Sequence, residues 1–209
     1  MRLLRLVCAG VLVVLAAGPV TAQDERGFVR GLAGVTFGNV QTSSIFAGGG
    51  GISVGRGVQI IGEFGRIQNV MPNEIADLFD DLELLLEIDT GLDVEVDATA
   101  PAWYGAGGIR YTFPTMGTLR PFVEAMLGAA NIGLDLSFVV DGIDFAEELE
   151  DEEGLESATE FMMAFGGGLA IGISDGVGID VAYRYHGITT DDPMVHASAV
   201  YAGLRIILR

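Results

Sequence analysis

A histidine and a serine near the carboxyl end are the residues with the clearest capacity for chemistry. His196 and Ser198 stand two positions apart, and in an extended chain this spacing places both side chains on one face. A serine nucleophile needs a base and an acid that orients the base, but no acidic residue follows Ser198. The sequence contains no CxxC, HExxH, P-loop or nucleophile elbow, so nothing in it indicates a cofactor or a metal centre.

Charged residues also occur within segments whose side chains alternate in the manner of strands. Large apolar residues occupy one set of alternate positions, and glycine, alanine, serine and scattered charges occupy the other. Short connections rich in Gly, Pro, Ser and Asp alternate with longer ones, which is typical of antiparallel neighbours. We predict eight strands, at about residues 27–38, 43–54, 57–68, 98–113, 119–134, 159–174, 176–187 and 195–208.

The composition of the two strand faces indicates which side points outward. A soluble barrel has an apolar interior and a charged exterior, whereas here the less apolar face carries mostly small residues that suit a narrow lumen. We therefore predict an all-β protein, an eight-stranded antiparallel up-and-down transmembrane β-barrel with short turns at one end and long loops at the other. The alternative is a secreted soluble β-sandwich or lipocalin-like barrel, with the apolar face turned inward.

With the apolar face assigned to lipid, nearly all the charge of the strands points into the barrel. Eight strands leave an interior that side chains can fill, and charges buried there need partners. Arginine and carboxylate groups pair well because the guanidinium fork offers parallel donors. We expect this network to plug the barrel, although the same residues could line a gated ion path. The predicted interior polar network consists of Arg30, Glu63, Arg110, Arg120, Glu124, Asp180, Arg184 and Arg205.

The first 22 residues have the features of a secretory signal peptide. Two arginines precede an apolar stretch over residues 6–17, and residues 20–22 form a suitable cleavage site. We expect the barrel domain to occupy residues 23–209. The single cysteine, Cys8, lies in the leader, so the mature chain is expected to have no disulfide.

Two long acidic segments, about residues 69–97 and 135–158, are predicted to form extracellular loops. The net charge is −18, and of 29 acidic residues ten lie at positions 74–97 and eleven at 135–160, where no arginine or lysine occurs. These loops are candidates for binding a surface partner or divalent cations, although EF-hand spacing is absent. The acidic balance argues against a nucleic-acid partner.

The first acidic loop is expected to be partly helical. Its residues 73–88 have helical spacing, with Asn73 as a candidate N-cap and with apolar residues on one stripe. We expect this stripe to fold over the mouth of the barrel. Its members are Ile75, Leu78, Phe79, Leu82, Leu85 and Leu86.

Two stretches of the chain resemble a known family. AWYGAGGIRYTFP…LRPFVEAMLGAANI and FGGGLAIGISDGVGIDVAYRYHGI resemble the small outer-membrane β-barrel proteins of the OmpA/OmpX-like group, which repeat a glycine-rich strand, a short turn and a strand ending in Tyr-Arg-Tyr. The resemblance covers roughly residues 27–209. It implies a location in the outer membrane of a Gram-negative bacterium, contact with lipid and lipopolysaccharide, and insertion by the barrel assembly machinery.

The carboxyl end resembles the C-terminal assembly signal of such proteins. The usual pattern is a polar residue, then glycine, then two spaced hydrophobic residues, the last of them commonly aromatic. Here the last is a leucine, and Arg209 follows it. The residues that match the signal are Tyr201, Gly203, Ile206 and Leu208.

These features predict a non-enzymatic outer-membrane barrel with a structural or surface-interaction role, such as adhesion or envelope integrity. One alternative is a small, low-conductance porin, which would need a continuous polar path past Arg184 and Glu124. The other is a lipid A-modifying hydrolase, because the His196 and Ser198 spacing resembles that of outer-membrane lipid A deacylases.

Overall fold

The computed structural model describes residues 26–90, 94–114, 118–140, 143–144, 157–190 and 194–209. Helix α1 spans Asn73–Thr90. The strands are β1 (Gly27–Gly38), β2 (Ser43–Gly55), β3 (Val58–Ile67), β4 (Val94–Thr99), β5 (Ala102–Thr112), β6 (Leu119–Ile132), β7 (Asp135–Val140), β8 (Ile143–Asp144), β9 (Ala158–Gly172), β10 (Val177–Thr189) and β11 (Val195–Leu208).

Eight of these strands close into a barrel in the order β1-β11-β10-β9-β6-β5-β3-β2. All neighbours are antiparallel, and the barrel closes where β1 pairs with β11, from Gly27 opposite Leu208 to Gly38 opposite Ala197. The prediction of an eight-stranded up-and-down barrel is therefore confirmed. The other three strands form a separate sheet in the order β4-β7-β8, within the long connections.

Short turns join the strands at one end of the barrel, and the long connections lie at the other. Only two residues separate β2 from β3. In this tight turn Gly55, Arg56 and Gly57 all have positive φ, at 104°, 53° and 79°. Glycine adopts this backbone region without a Cβ penalty, so the sequence Gly-Arg-Gly suits the turn. We refer to the two ends as the short-turn end and the long-loop end.

The apolar face of the strands points outward. Large side chains such as Phe64, Leu127 and Leu204 are 59%, 61% and 62% exposed, whereas the alternate positions are buried. Water would disfavour an exterior of this kind, but the hydrocarbon region of a membrane matches it. The alternative of a soluble barrel with its apolar face inside is therefore wrong.

One predicted strand is divided in the structure. The segment expected at residues 98–113 breaks at Pro101, where β4 ends and β5 begins. Proline has no N–H to donate to the barrel ladder, so the residues before it leave the barrel and pair with β7 instead. The second acidic loop contributes β7 and β8, while its residues 141–142 and 145–156 lie outside the described part of the chain.

Helix α1 forms where the sequence predicts it, but only part of the predicted apolar stripe is packed. Ala76 is buried and Phe79 packs beside it, whereas Leu78 and Leu85 are 66% and 64% exposed. On the packed side, the Glu83 carboxylate accepts a hydrogen bond from the Val96 N–H of β4 at 3.0 Å. The expectation that the apolar stripe covers the barrel mouth is therefore wrong for Leu78, Leu85 and the other exposed members, whereas Phe79 packs against the buried cluster at the long-loop end.

The start of α1 also differs from its predicted cap. The Asn73 amide donates to the Gly38 carbonyl at 3.0 Å, and the Pro72 carbonyl accepts from the first helical N–H groups. Asn73 thus ties the helix to the end of β1. No helix among the described residues is both long enough and apolar enough to cross a bilayer.

Candidate functional site

The interior of the barrel holds the main cluster of charged groups in the described residues. Seven charged side chains come from six strands, and each of their side chains is 0–1% exposed. Four are arginines and three are acids. They are Arg30 of β1, Glu63 of β3, Arg110 of β5, Glu124 of β6, Asp180 and Arg184 of β10, and Arg205 of β11.

Two arginines and two glutamates form a closed ring across the middle of the barrel. Arg184 donates from Nη1 to Glu63 at 2.5 Å and from Nη2 to Glu124 at 2.5 Å. Arg30 donates to the same two carboxylates, at 2.8 Å and 3.0 Å. Tyr104 completes the shell of Glu63 with a hydrogen bond of 2.9 Å. Each cation therefore contacts both anions, which is the arrangement that buried charges need.

A second layer lies toward the short-turn end. Asp180 accepts a hydrogen bond from Arg110 at 2.6 Å, and Arg30 and Arg205 approach the same carboxylate at 3.6 Å and 3.5 Å. The ring of Phe28 lies 5.2–5.7 Å from the guanidinium carbons of these three arginines. Arg110 also stacks 3.5 Å from the centre of the Phe122 ring. One carboxylate thus pairs with the arginines of this layer, and two aromatic rings pack against them.

A third layer, toward the long-loop end, is aromatic and then apolar. His186 and the Tyr201 hydroxyl share a hydrogen bond of 2.6 Å, and the Tyr104 ring meets His186 edge-on at 5.9 Å. Beyond these rings the lumen is closed by apolar side chains that are at most 3% exposed. They are Val40, Ile45, Ile67, Val70, Met71 and Ile188.

Glycines provide the space in which the central ring forms. Gly49 of β2 lies in register between Arg30 of β1 and Glu63 of β3. Gly166 of β9 lies in the same way between Glu124 of β6 and Arg184 of β10. A side chain at either glycine would occupy the gap that the ion pair bridges. Two of the four ion pairs, Arg30 with Glu63 and Arg184 with Glu124, therefore join strands that are second neighbours in the barrel, and the other two cross the lumen.

The structure brings together all but one of the residues predicted for the interior network. The exception is Arg120, which is only half-buried at the start of β6, near the short-turn end. The sequence analysis missed Tyr104 and Phe28 as members of this cluster. The alternation of side chains along each strand could have identified them, since Tyr104 shares its face with Arg110 and Phe28 shares its face with Arg30.

His196 and Ser198 lie on the outer surface of β11 and do not contact each other. Nδ1 of His196 is hydrogen-bonded to the Tyr185 hydroxyl, and the Ser198 hydroxyl shares a 2.9 Å hydrogen bond with Tyr183. Among the described residues, no carboxylate is hydrogen-bonded to either side chain. The two residues form part of an aromatic band with Phe165, whose ring lies 4.9 Å from that of Tyr185.

The residues of the predicted assembly signal divide between the two faces of β11. Tyr201 is fully buried in the lumen, and Gly203 shares its face. Ile206 and Leu208 are 57% and 47% exposed on the apolar exterior. Recognition of this segment by the assembly machinery stays a prediction. In the described ranges, no group of three or more His, Cys, Asp or Glu side chains is placed to hold a metal ion.

A closed eight-stranded barrel with an apolar exterior and a filled, charged interior defines a small transmembrane barrel protein. Residues 10–205 match the family described as "Outer membrane protein beta-barrel domain", and the chain belongs to that family. The protein is therefore located in the bacterial outer membrane and contacts its lipid. In such proteins the short turns face the periplasm and the long loops face the cell exterior.

Solved structures with the same fold include two from bacterial outer membranes. Neisserial surface protein A is 14% identical with a TM-score of 0.60, and the similarity covers 87% of this chain and 97% of that one. The N-terminal β-barrel domain of Pseudomonas aeruginosa OprF is 13% identical with a TM-score of 0.54, covering 89% and 100%. No curated protein matches the chain in sequence.

Proposed function

We propose that this protein is a non-enzymatic, non-conducting outer-membrane barrel whose role is structural or surface-interactive, as in adhesion or envelope integrity. The observation that carries the proposal is the filled lumen. The central ring of Arg30, Glu63, Glu124 and Arg184 is anchored to four different strands and excluded from solvent. An ion entering the barrel would have to separate charges that are already paired.

The long-loop end supports the surface-interactive part of the proposal. Helix α1 and the β4-β7-β8 sheet give the extracellular loops defined structure rather than simple turns. Twenty-one of the 29 acidic residues lie in or beside these loops. A partner at this surface would be basic, or would be bridged by divalent cations, because the surface itself repels anions.

The porin alternative requires a continuous polar path, and the layers of the interior oppose it. Next to the charged ring, the lumen contains Tyr104, His186 and Tyr201, followed by the apolar cluster at the long-loop end. A hydrophobic constriction resists the passage of water and ions. These layers therefore argue against a low-conductance porin, and a measurement of bilayer conductance can exclude it.

Conductance across planar lipid bilayers tests the proposal. We expect the purified wild-type protein to give no stable current steps. Arg184→Ala removes one of the two arginines of the central ring and should produce leak currents, whereas Arg209→Gln, at an exposed residue, should stay silent. Steady unitary currents from the wild type would overturn the proposal in favour of the porin.

The hydrolase alternative is not part of the proposal. A serine nucleophile needs a base within hydrogen-bond reach, and in the structure Ser198 contacts Tyr183 while His196 contacts Tyr185. Expression of the protein should leave the mass of lipid A unchanged. A change in lipid A mass that is lost with Ser198→Ala would restore the enzymatic hypothesis.

A further inference from the structure

Arg66 differs from every other arginine that the structure describes. The chain has no lysine, and four of its arginines lie in the lumen. Four others lie at the periplasmic end, in or beside the short turns and the strand ends there. Arg66 alone is at the extracellular end, one residue before the end of β3, on the outward face. The periplasmic four are Arg26, Arg56, Arg120 and Arg209.

Arg66 is surrounded by aromatic side chains on the membrane-facing surface. In register it lies between Phe46 of β2 and Trp103 of β5, which are 51% and 47% exposed. Its guanidinium carbon lies 5.3 Å from the centre of the Trp103 ring, and the Phe64 ring stacks on Trp103 with 5.3 Å between the ring centres. Aromatic residues of this kind mark the level of the lipid headgroups.

Among the described residues, no carboxylate is paired with Arg66, although 21 of the 29 acidic residues lie in or beside the long loops at this end. The described residues place no hydrogen-bond acceptor on its Nε, which is buried, and no ion pair on its guanidinium. Because no described carboxylate pairs with Arg66, its guanidinium group is available to an external anion. The groups that reach an outward side chain at this depth are the headgroups of lipids in the outer leaflet.

The surface below Arg66, toward the centre of the membrane, is open. Gly48 and Gly62 face outward there, and a side chain at either position would meet no atom within 4 Å. Phe64 lies opposite Gly48 in register, and its ring stacks on that of Trp103. This depression has room for the acyl chain of a lipid whose headgroup is held at Arg66.

We propose that Arg66, with Trp103, Phe46 and Phe64, forms a binding site for the phosphate group of an anionic lipid of the outer leaflet. The guanidinium fork would donate to two phosphate oxygens, and the aromatic rings would pack against the upper part of the lipid. A hydroxyl-bearing or zwitterionic headgroup would offer the fork a weaker partner. This site lies outside the barrel, so it is independent of the plugged interior.

Trp103 makes the test direct because it is the only tryptophan of the chain. The protein, expressed as the full chain and purified from outer membranes, is reconstituted in phosphatidylcholine vesicles with increasing fractions of lipid A. We expect a saturable change in tryptophan fluorescence for the wild type. Arg66→Gln should weaken the apparent affinity about tenfold or more, as expected for loss of a charge-assisted pair.

Two further variants and a second readout keep the result interpretable. Arg56→Gln removes an exposed arginine from the periplasmic turn and should titrate like the wild type. Arg66→Lys keeps the charge without the fork and should fall between the wild type and Arg66→Gln. Native mass spectrometry should detect a retained lipid A molecule on the wild type and less of it on Arg66→Gln. A shift in gel mobility when the sample is boiled in detergent confirms that each variant is folded.

Three results would overturn the inference. The wild type could show no saturable change, or Arg66→Gln could titrate like the wild type. Alternatively, inorganic phosphate added to pure phosphatidylcholine vesicles could reproduce the change, which would assign the site to free phosphate instead of a lipid. In each case the bilayer conductance of the wild type stays as it was, so the proposed function would still stand.

Discussion

At the scale of single residues, the barrel interior depends on glycine as much as on charge. An ion pair that joins second-neighbour strands must pass over the strand between them, and only a residue without a side chain leaves that space. Gly49 and Gly166 occupy these positions in the central ring. The many glycines of the sequence are therefore partly explained by what lies opposite them rather than by turns.

Adding a side chain at an inward glycine should destabilise the barrel. A Cβ atom at Gly49 would lie 3.0 Å from the Cα of Glu63 and still closer to the Gly62 carbonyl oxygen. Gly49→Val should therefore lower the free energy of unfolding by about 1–3 kcal/mol. Urea titration in lipid vesicles, followed by Trp103 fluorescence, measures the change.

Its neighbour provides the control. Gly48 points outward and has open space around it, so Gly48→Val should leave the free energy of unfolding nearly unchanged. Equal destabilisation by the two variants would show that loss of glycine itself matters, and would contradict the role given to the inward position.

Removing one acid of the central ring should be costly. Glu63 accepts hydrogen bonds from Arg184, Arg30 and Tyr104, so Glu63→Gln leaves two buried guanidinium groups short of a counter-charge. We expect a loss of about 3–5 kcal/mol in the free energy of unfolding, measured in the same urea titration. Asp175→Asn, which removes an exposed acid near Arg209, should have little effect. Similar effects of the two variants would mean that the ring does not stabilise the barrel.

At the scale of elements, alternation along the strands predicts the barrel but not the structure of its loops. Lipid outside and a narrow lumen inside require side chains to alternate between apolar and small or polar along every membrane strand. Strands β9 and β11 can therefore be predicted from the sequence alone. The same rule places Arg30 and Glu63 on the inner face. It cannot show that they meet, because their contact depends on barrel closure and on the register across β2.

The extracellular elements obey weaker constraints. In α1, leucines follow helical spacing, yet the packed face contains Ala76, Phe79 and Glu83, and the Glu83 carboxylate accepts a hydrogen bond from an N–H of β4. A pairing between β4 and β7, about forty residues apart in the chain, leaves no local signal. The acidic composition of both segments favours solvent exposure but not a particular fold.

Helix α1 should be dispensable for folding of the barrel. It contributes no strand to the barrel ladder, and beyond the contacts of Asn73 and Ala76 at its start it packs on β4, which itself lies outside the barrel. Replacing residues 73–90 with a short Gly-Ser linker should leave a protein that still shifts in gel mobility on boiling. Loss of the shift, with the variant absent from the outer-membrane fraction, would show that α1 is needed for assembly.

At the scale of the whole molecule, charge is sorted by compartment. The acids concentrate in the extracellular loops, whereas the arginines that the structure describes lie in the lumen or at the periplasmic end, with Arg66 as the exception. Within the lumen, four buried arginines face three buried acids, and aromatic rings pack against them. The molecule thus combines a closed, rigid membrane body with an anionic outer surface.

The accessibility of the lumen to a water-soluble reagent tests the central claim, a filled barrel, most directly. Ala164 of β9 points inward and is 2% exposed, in register between Met126 and His186. In a Cys8→Ser background, the thiol of Ala164→Cys would be the only one in the protein. Ala158→Cys, on the exposed extracellular end of β9, provides a reactive control.

We expect a membrane-impermeant maleimide to label the Ala158→Cys protein fully in intact outer membranes and to leave the Ala164→Cys protein unlabelled until it is boiled in detergent. Labelling of the folded Ala164→Cys protein at a rate similar to that of the control would mean that water and solutes enter the lumen, and would contradict a plugged barrel.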